Sequence, residues 1–391
     1  MQNFLIVMSR GESSIAICGF DKLYKTTSLS QDHQLSHHQH NQHRAIRLVK
    51  VLPRTSMKAR NNPNKIFRIS NKPRISLGYK PHKRGFRKLN RLIAAILAGV
   101  MFMPIASPVL AGDPFRTDNP SGIGAETEAA FELMFRDGNF LEAQETVDRA
   151  FATEADEPLL HAMKASLYYM NNKDAGENLE FMRDYAIRTR KAAQALMSEN
   201  PMRGHLYTGA SYLLEAGYEV TKKGVVRGAA RGLSLVQQAL DQIELAAEIA
   251  PDDPELNLIK GYMDMLVASV VPLADLEDAL GSLRKAGPEY LKWRGIALGY
   301  RDAKLPNEAL AAVEKALVHS PDNPEIVYLK GQILWMKRDH EKGLSDSEKT
   351  KLSQDAEFYF RQALTKHEQM APAVAEEIAE QCKGLTGADC I

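Results

Sequence analysis

Between Pro254 and Ala363 the apolar positions recur with the period of a helix and are punctuated at regular intervals by Pro and Gly. Three stretches are near copies: PELNLIKG at 254–261, PEYLKWRG at 288–295 and PEIVYLKG at 324–331, starting 34 and then 36 residues apart. A second phrase runs between them, an Ala, a large apolar residue four on and an Ala three further, as in Ala279/Leu283/Ala286 and Ala309/Val313/Ala316. Spacings of four and three put these side chains on one helical face. The pattern predicts a Pro-led helix carrying Gly, then a helix with a small-large-small inner face. The two backbones approach closely at the Gly and Ala positions.

The same phrases extend in both directions. ETEAAFELMFRDGNFLEAQETVDRAF predicts a helix through Phe135, a turn at 137–140 and a second helix bearing Ala143, Val147 and Ala150. Pro158 starts another first helix, with Met163-Lys164-Ala165 where later copies have Ile-Lys-Gly, and its partner runs from about 175 to 198 until Asn200-Pro201 stops it. Tyr207-Thr208-Gly209 marks the next copy. TKKGVVRGAARG at 221–232 then reads as a flexible loop before Ala239, Ile243 and Ala246 resume the pattern. PDDPE at 251–255 and PDNPE at 321–325 each end one helix and begin another. The stretch 338–353 reads as a linker to a second helix with Ala356, Phe360 and Ala363. Pro372 begins a last helix to about Cys382, whose polar outer face EEIAEQ suits a cap. No strand-like alternation survives after residue 111. A helical hairpin repeated at about 34 residues resembles the tetratricopeptide repeat. The fold expected for 112–391 is therefore all-α, an α-solenoid of about six tetratricopeptide-like hairpins plus a C-terminal capping helix.

Charge divides the chain. Residues 1–111 hold 19 Lys/Arg against 3 Asp/Glu, whereas residues 112–391 hold 31 against 46. The acidic part repels phosphate backbones, so nucleic acid is not an expected partner. Residues 1–80 read as a basic leader without periodicity. Its His33, His37, His38, His40 and His43 lack the Cys or carboxylate cluster that would complete a metal site. Residues 81–111 have the three parts of a secretory signal: the basic HKRGFRKLNR, the apolar LIAAILAGVMFM at 92–103 and small residues ending in Ala111. Cleavage is expected between Ala111 and Gly112, leaving no stable membrane anchor and an extracytoplasmic protein, in periplasm or thylakoid lumen. A signal preceded by 80 residues points to a translation start further downstream, such as Met57. Loss of Cys18 with the leader leaves Cys382 and Cys390 as the remaining thiols, expected to pair across a loop containing Gly384 and Gly387.

Chemical motifs are sparse. There is no HExxH, GxSxG or CxxC, and His161, His205, His319, His340 and His367 are scattered singly. GVVRGAARG lacks the GK[ST] and preceding strand of a phosphate loop. No catalytic residue, metal or cofactor is expected. Lys260, Arg294 and Lys330 occupy one register position in successive copies, directly before the Gly. Stacked repeats would align them as a cationic stripe, with Tyr262 and Tyr328 beside it, facing an acidic and apolar segment of a protein or peptide partner. Glu255, Glu289 and Glu325 lie close enough in sequence to neutralise that stripe.

DPFRTDNP, GNFLEAQ, RGHLYTGA, VVRGA, DPELNLIKGYMDML, RGIALGYRD and PDNPEIVYLKGQIL resemble a family of exported cyanobacterial tetratricopeptide proteins of unassigned function. The resemblance covers nearly all of 112–391. It implies an α-solenoid outside the cytoplasm and supplies no functional residues. The function expected is an exported, non-catalytic scaffold that binds a protein or peptide partner in its concave groove. Two alternatives stand beside it, a solute-binding component serving a transporter, and a hydrolase with a site near 203–232. A closed polar pocket around Arg203, His205 and Arg227 would favour the alternatives.

Overall fold

The computed structural model describes residues 112–171, 176–270 and 276–390. The leader at 1–80, the signal segment at 81–111 and thus Ala111 lie outside them. The described residues are helical with short connections, and the only extended pairing among them is an isolated antiparallel bridge between Gly112 and Ile123.

Helices α1 (Ala125–Phe135) and α2 (Phe140–Ala150) form a first packed pair, and α3 (Pro158–Met170) and α4 (Glu177–Leu196) a second. The long element α5 (Pro201–Ile249) is followed by the pairs α6 (Pro254–Val270) with α7 (Leu276–Lys285), α8 (Glu289–Asp302) with α9 (Pro306–His319), and α10 (Pro324–His340) with α11 (Asp346–Leu364). A 3₁₀ turn (His367–Gln369) leads to α12 (Pro372–Thr386). Pro opens α3, α5, α6, α9, α10 and α12, where its missing N–H is harmless. Side chains of Asn139, Glu157, Asn200, Asn323 and Ser345 accept first-turn N–H groups of α2, α3, α5, α10 and α11.

The repeated phrases meet inside each pair. A Cβ on Gly261 would lie 2.7 Å from Leu283, one on Gly209 2.9 Å from Ile243, and one on Gly331 2.7 Å from the Phe360 ring. The large residue of the second helix therefore sits in the notch left by the Gly of the first. Gly331→Ala would also press 3.2 Å against the Ala356 carbonyl, and Phe360 is fully buried, so the ring has nowhere to retreat. An overpacking cost of about 1–3 kcal/mol is expected, read as a lower urea midpoint with unchanged slope. First helices also pack on first helices, α1 on α3, α3 on α5, α6 on α8 and α8 on α10, which joins the pairs through one apolar core.

Two stretches read from sequence as irregular are helical. The segment 221–232 lengthens both arms of α5, and the chain reverses only at Gly224 (φ 73°, ψ 160°). The left-handed φ suits Gly. Beyond it the arms touch so closely that a Cβ on Gly228 would lie 2.6 Å from the Glu219 carbonyl. The 338–353 linker shrinks to a short turn, because α10 runs on to His340 and a Ser345/Glu348 capping box starts α11. The last helix also exceeds its sequence-read end and stops at Gly387, in the left-handed conformation.

The first pair meets the last pairs. Asn323 donates to the carbonyls of Phe135 and Arg136, Ser320 Oγ donates to the Arg136 carbonyl, and Gln369 donates to the Asp137 carbonyl. These bonds satisfy the C-terminal carbonyls of α1 from 184 to 232 residues away in sequence. At the C-terminus Cys382 and Cys390 are joined by a disulfide, with Cys382 on the buried face of α12 beside Val374 and Ile378.

Candidate functional site

The face shared by the first helices is covered by the chain's own residues. Residues 112–124 run along it before α1 begins. Phe115 packs edge-on against Phe131, with ring centroids 4.8 Å apart, and is surrounded by Phe135, Leu159, Met163, Leu258, Tyr262 and Leu291. Phe115 and Ile123 are buried. A Cβ on Gly287, at the turn before α8, would stand 2.3 Å from the Phe115 carbonyl, so only Gly lets the segment pass there. The space left beside Phe115 is about 50 Å³, room for a water or two at most.

A buried charge cluster fastens the same segment. Asp113 accepts from the backbone N–H of Phe115 and of Ser121, each at 2.9 Å, and pairs with Arg116. The Arg116 guanidinium reaches across to Asp253 and Glu255. Glu255 is fully buried and also accepts from Arg203 Nε at 3.0 Å and from the Tyr207 hydroxyl at 2.6 Å. Arg203 donates as well to Glu157 at 2.8 Å. Four carboxylates thus face two guanidiniums. Asp253 and Glu157 also cap the N-termini of α6 and α3, whose free N–H groups and dipoles offset part of the excess negative charge. Burial pushes the Glu255 carboxyl up, against the opposing pull of Arg203 and Tyr207. Burial alone would lower Arg203, but Glu255 and Glu157 more than offset it and hold it well above the ordinary arginine range.

Of the residues expected to line the groove, Tyr262 borders the pocket that holds Phe115, and the others are engaged elsewhere in the packing. Arg294 is buried and donates to Glu325 of the next pair, so this cation is consumed within the fold. Lys260 pairs with Asp264, four residues on. Lys330 pairs with Glu314 at 3.1 Å and sits 4.6 Å above the Tyr359 ring. Tyr262 is buried and donates to the Leu291 carbonyl at 3.1 Å, and Tyr328 is buried and donates to Glu377 at 3.0 Å. Each of the three cations thus meets a carboxylate: Lys260 on its own helix, Arg294 on the next first helix and Lys330 on the second helix of the preceding pair. Gly112 has the Glu128 carboxylate against its Cα, since an ideal Cβ there would overlap it.

Arg203, His205 and Arg227 do not converge. Arg203 belongs to the buried cluster, His205 Nδ1 lies 2.9 Å from Gln242, and Arg227 is exposed near the far end of α5. Among the described residues no group of His, Cys, Asp and Glu could hold a metal ion. A polar cleft of about 460 Å³ lies where the first pair meets the last ones, with Arg136 and Asp137 on one side and His319 and Lys366 on the other. Arg136 there is already paired with Glu132 and Asp137.

His161 gives the fold a pH dependence. Its Nε2 lies 2.7 Å from the Ala155 carbonyl and so carries the hydrogen, while Nδ1 is buried without a partner. A second proton would have no acceptor, and burial lowers the pKa below the ordinary value. The unfolded chain takes up that proton as pH falls through about 6.5 while the folded chain resists it, so the stability is complete above that pH and lost below it. Unfolding free energy should fall between pH 7.5 and 5.5, and His161→Asn should flatten that slope in urea titrations.

No family model matches the chain, and no curated protein matches it.

Sequence reasoning missed Asp113, Phe115, Arg116, Tyr207, Asp253 and Glu255 as one assembly. Half of a signal was present: the Glu of the PE phrase recurs at 255 and 325, but Arg203 lies two residues after its opening Pro and Arg294 six after, so register did not link them. In both cases the Arg of one first helix meets the Glu of the next.

Proposed function

We propose that residues 112–390 form an α-solenoid of tetratricopeptide type that binds an extended protein segment and performs no chemistry. The concave groove takes an aromatic side chain followed by a cation. The observation that carries this reading is the groove's own occupant, Phe115 in the apolar pocket and Arg116 on Asp253 and Glu255. A partner would carry the same pair of features, the reverse of the acidic segment expected from Lys260, Arg294 and Lys330. The leader, the signal-like stretch before Gly112 and the Cys382–Cys390 bond support an exported protein. The transporter and hydrolase readings find little support. The space beside Phe115, about 50 Å³, is far below the roughly 300–1,000 Å³ of small-molecule sites. The cleft of about 460 Å³ at Arg136 is large enough for a small solute, but its Arg136 and Lys366 are already engaged by Asp137 and by the Asp322 carbonyl.

Calorimetric titration tests the reading. A chain beginning at Ala125 should bind the peptide GDPFRTDNPSGIG one to one, and a peptide with Phe115→Ala and Arg116→Gln should bind at least about tenfold more weakly. If the shortened chain loses its helical signal, full-length Phe115→Ala serves as the acceptor. A folded acceptor that ignores the peptide would end the proposal.

A further inference from the structure

The far end of α5 carries a surface that the groove does not use. From Val220 to Leu240 there is no Asp or Glu, although residues 112–391 hold 46 of them, and the same stretch carries Lys222, Lys223, Arg227 and Arg231. Beyond the reversal at Gly224, Val226, Ala230 and Leu233 follow at spacings of four and three and share one face of the second arm. All three are exposed, Val226 at 80% and Leu233 at 71%. Gly228, Gly232 and Leu235 fall on the opposite face and are buried against the first arm. The apolar stripe therefore points away from the core, and Arg227 and Arg231 flank it one residue on.

The carboxylates nearest this end are already engaged, Glu180 with Lys222 and Glu219 with Lys223. Among the described residues no carboxylate pairs with Arg227 or Arg231. Water hydrates the guanidiniums but solvates the large apolar side chains between them poorly. A lipid–water interface suits both, because acyl chains take the apolar groups while headgroup phosphates take the cations. The acidic remainder of the body is repelled by an anionic surface and would favour approach by this end.

We propose that this end of α5 docks reversibly on an anionic lipid surface, with Val226 and Leu233 in the acyl boundary and Arg227 and Arg231 on phosphate oxygens. The contact is peripheral, since among the described residues no helix is long and apolar enough to cross a membrane.

The test uses the full chain and a probe at the site itself, because the basic leader would bind anionic vesicles on its own. Leu233→Trp adds an emitter to the face in question. With vesicles of equimolar phosphatidylcholine and phosphatidylglycerol containing brominated acyl chains, the added emission should be quenched, and with phosphatidylcholine alone it should not. Arg227→Gln with Arg231→Gln should raise the lipid concentration for half-quenching on the order of tenfold. Val226→Asp in the Leu233→Trp chain should abolish quenching without loss of helicity. Absence of quenching on phosphatidylglycerol vesicles, or quenching indifferent to all of these substitutions, would overturn the proposal. So would equally strong competition by soluble glycerol phosphate or polyglutamate, since either would show that the acyl boundary is not needed.

Discussion

Replacing Glu255 by Ala is expected to lower the unfolding free energy by about 3–5 kcal/mol, the range for removing one partner of a buried ion pair. Glu255 accepts from Arg203, from the Tyr207 hydroxyl and from Arg116 while wholly shielded from water. Its loss leaves Arg203 buried with Glu157 alone and Arg116 with Asp113 and Asp253. Glu255→Gln retains the volume and one acceptor, so it should cost less than Ala. Urea unfolding followed by circular dichroism at constant pH measures both. A Glu255→Ala chain as stable as the parent would mean that water reaches the cluster and that its members are solvated separately.

Phe115→Ala is expected to cost a similar 3–5 kcal/mol, the sum of lost apolar transfer and of the cavity left behind. The ring packs edge-on against Phe131 and fills the space between α1, α3, α6 and α8, where the existing void is already about 50 Å³. The helices around it are tied to one another by their own pairs, so the site collapses poorly. Phe115→Ala and Glu255→Ala both unseat residues 112–124, and the double variant should cost clearly less than the sum of the two. Strict additivity in a double-mutant cycle would mean that the aromatic and ionic anchors act separately.

The extent to which this fold was legible differs between local and distant contacts. The 34-residue phrase, the Pro at helix starts and the Gly-to-large-residue notch at Gly261/Leu283 and Gly331/Phe360 are written in short-range spacing, and helix periodicity converts such spacing directly into contact. The reversal at Gly224 was harder to read. A run of Gly and cations has the composition of a loop, yet Gly228 and Gly232 serve close packing of two helical arms, which composition does not distinguish. The site was least legible. Repeat register placed Lys260, Arg294 and Lys330 on equivalent positions, but it carries no information on whether the next copy's carboxylate reaches them, as Glu325 reaches Arg294. Nor does periodicity reach residues 112–124, which belong to no repeat. Their contacts with Asp253, Glu255 and Gly287 span some 140 to 170 residues and depend on how tightly successive first helices turn about one another.

Hydrogen exchange over residues 113–123 tests the self-filled groove most directly. The Phe115 and Ser121 amides are donated to the buried Asp113 carboxylate, so they exchange only when the segment leaves its seat. Protection approaching that of α3 and α6 is expected in the parent chain, with selective loss in Glu255→Ala while α3 and α6 stay protected. Exchange of these amides at the rate of an unstructured peptide in the parent chain would contradict it, and the groove would then be an open one.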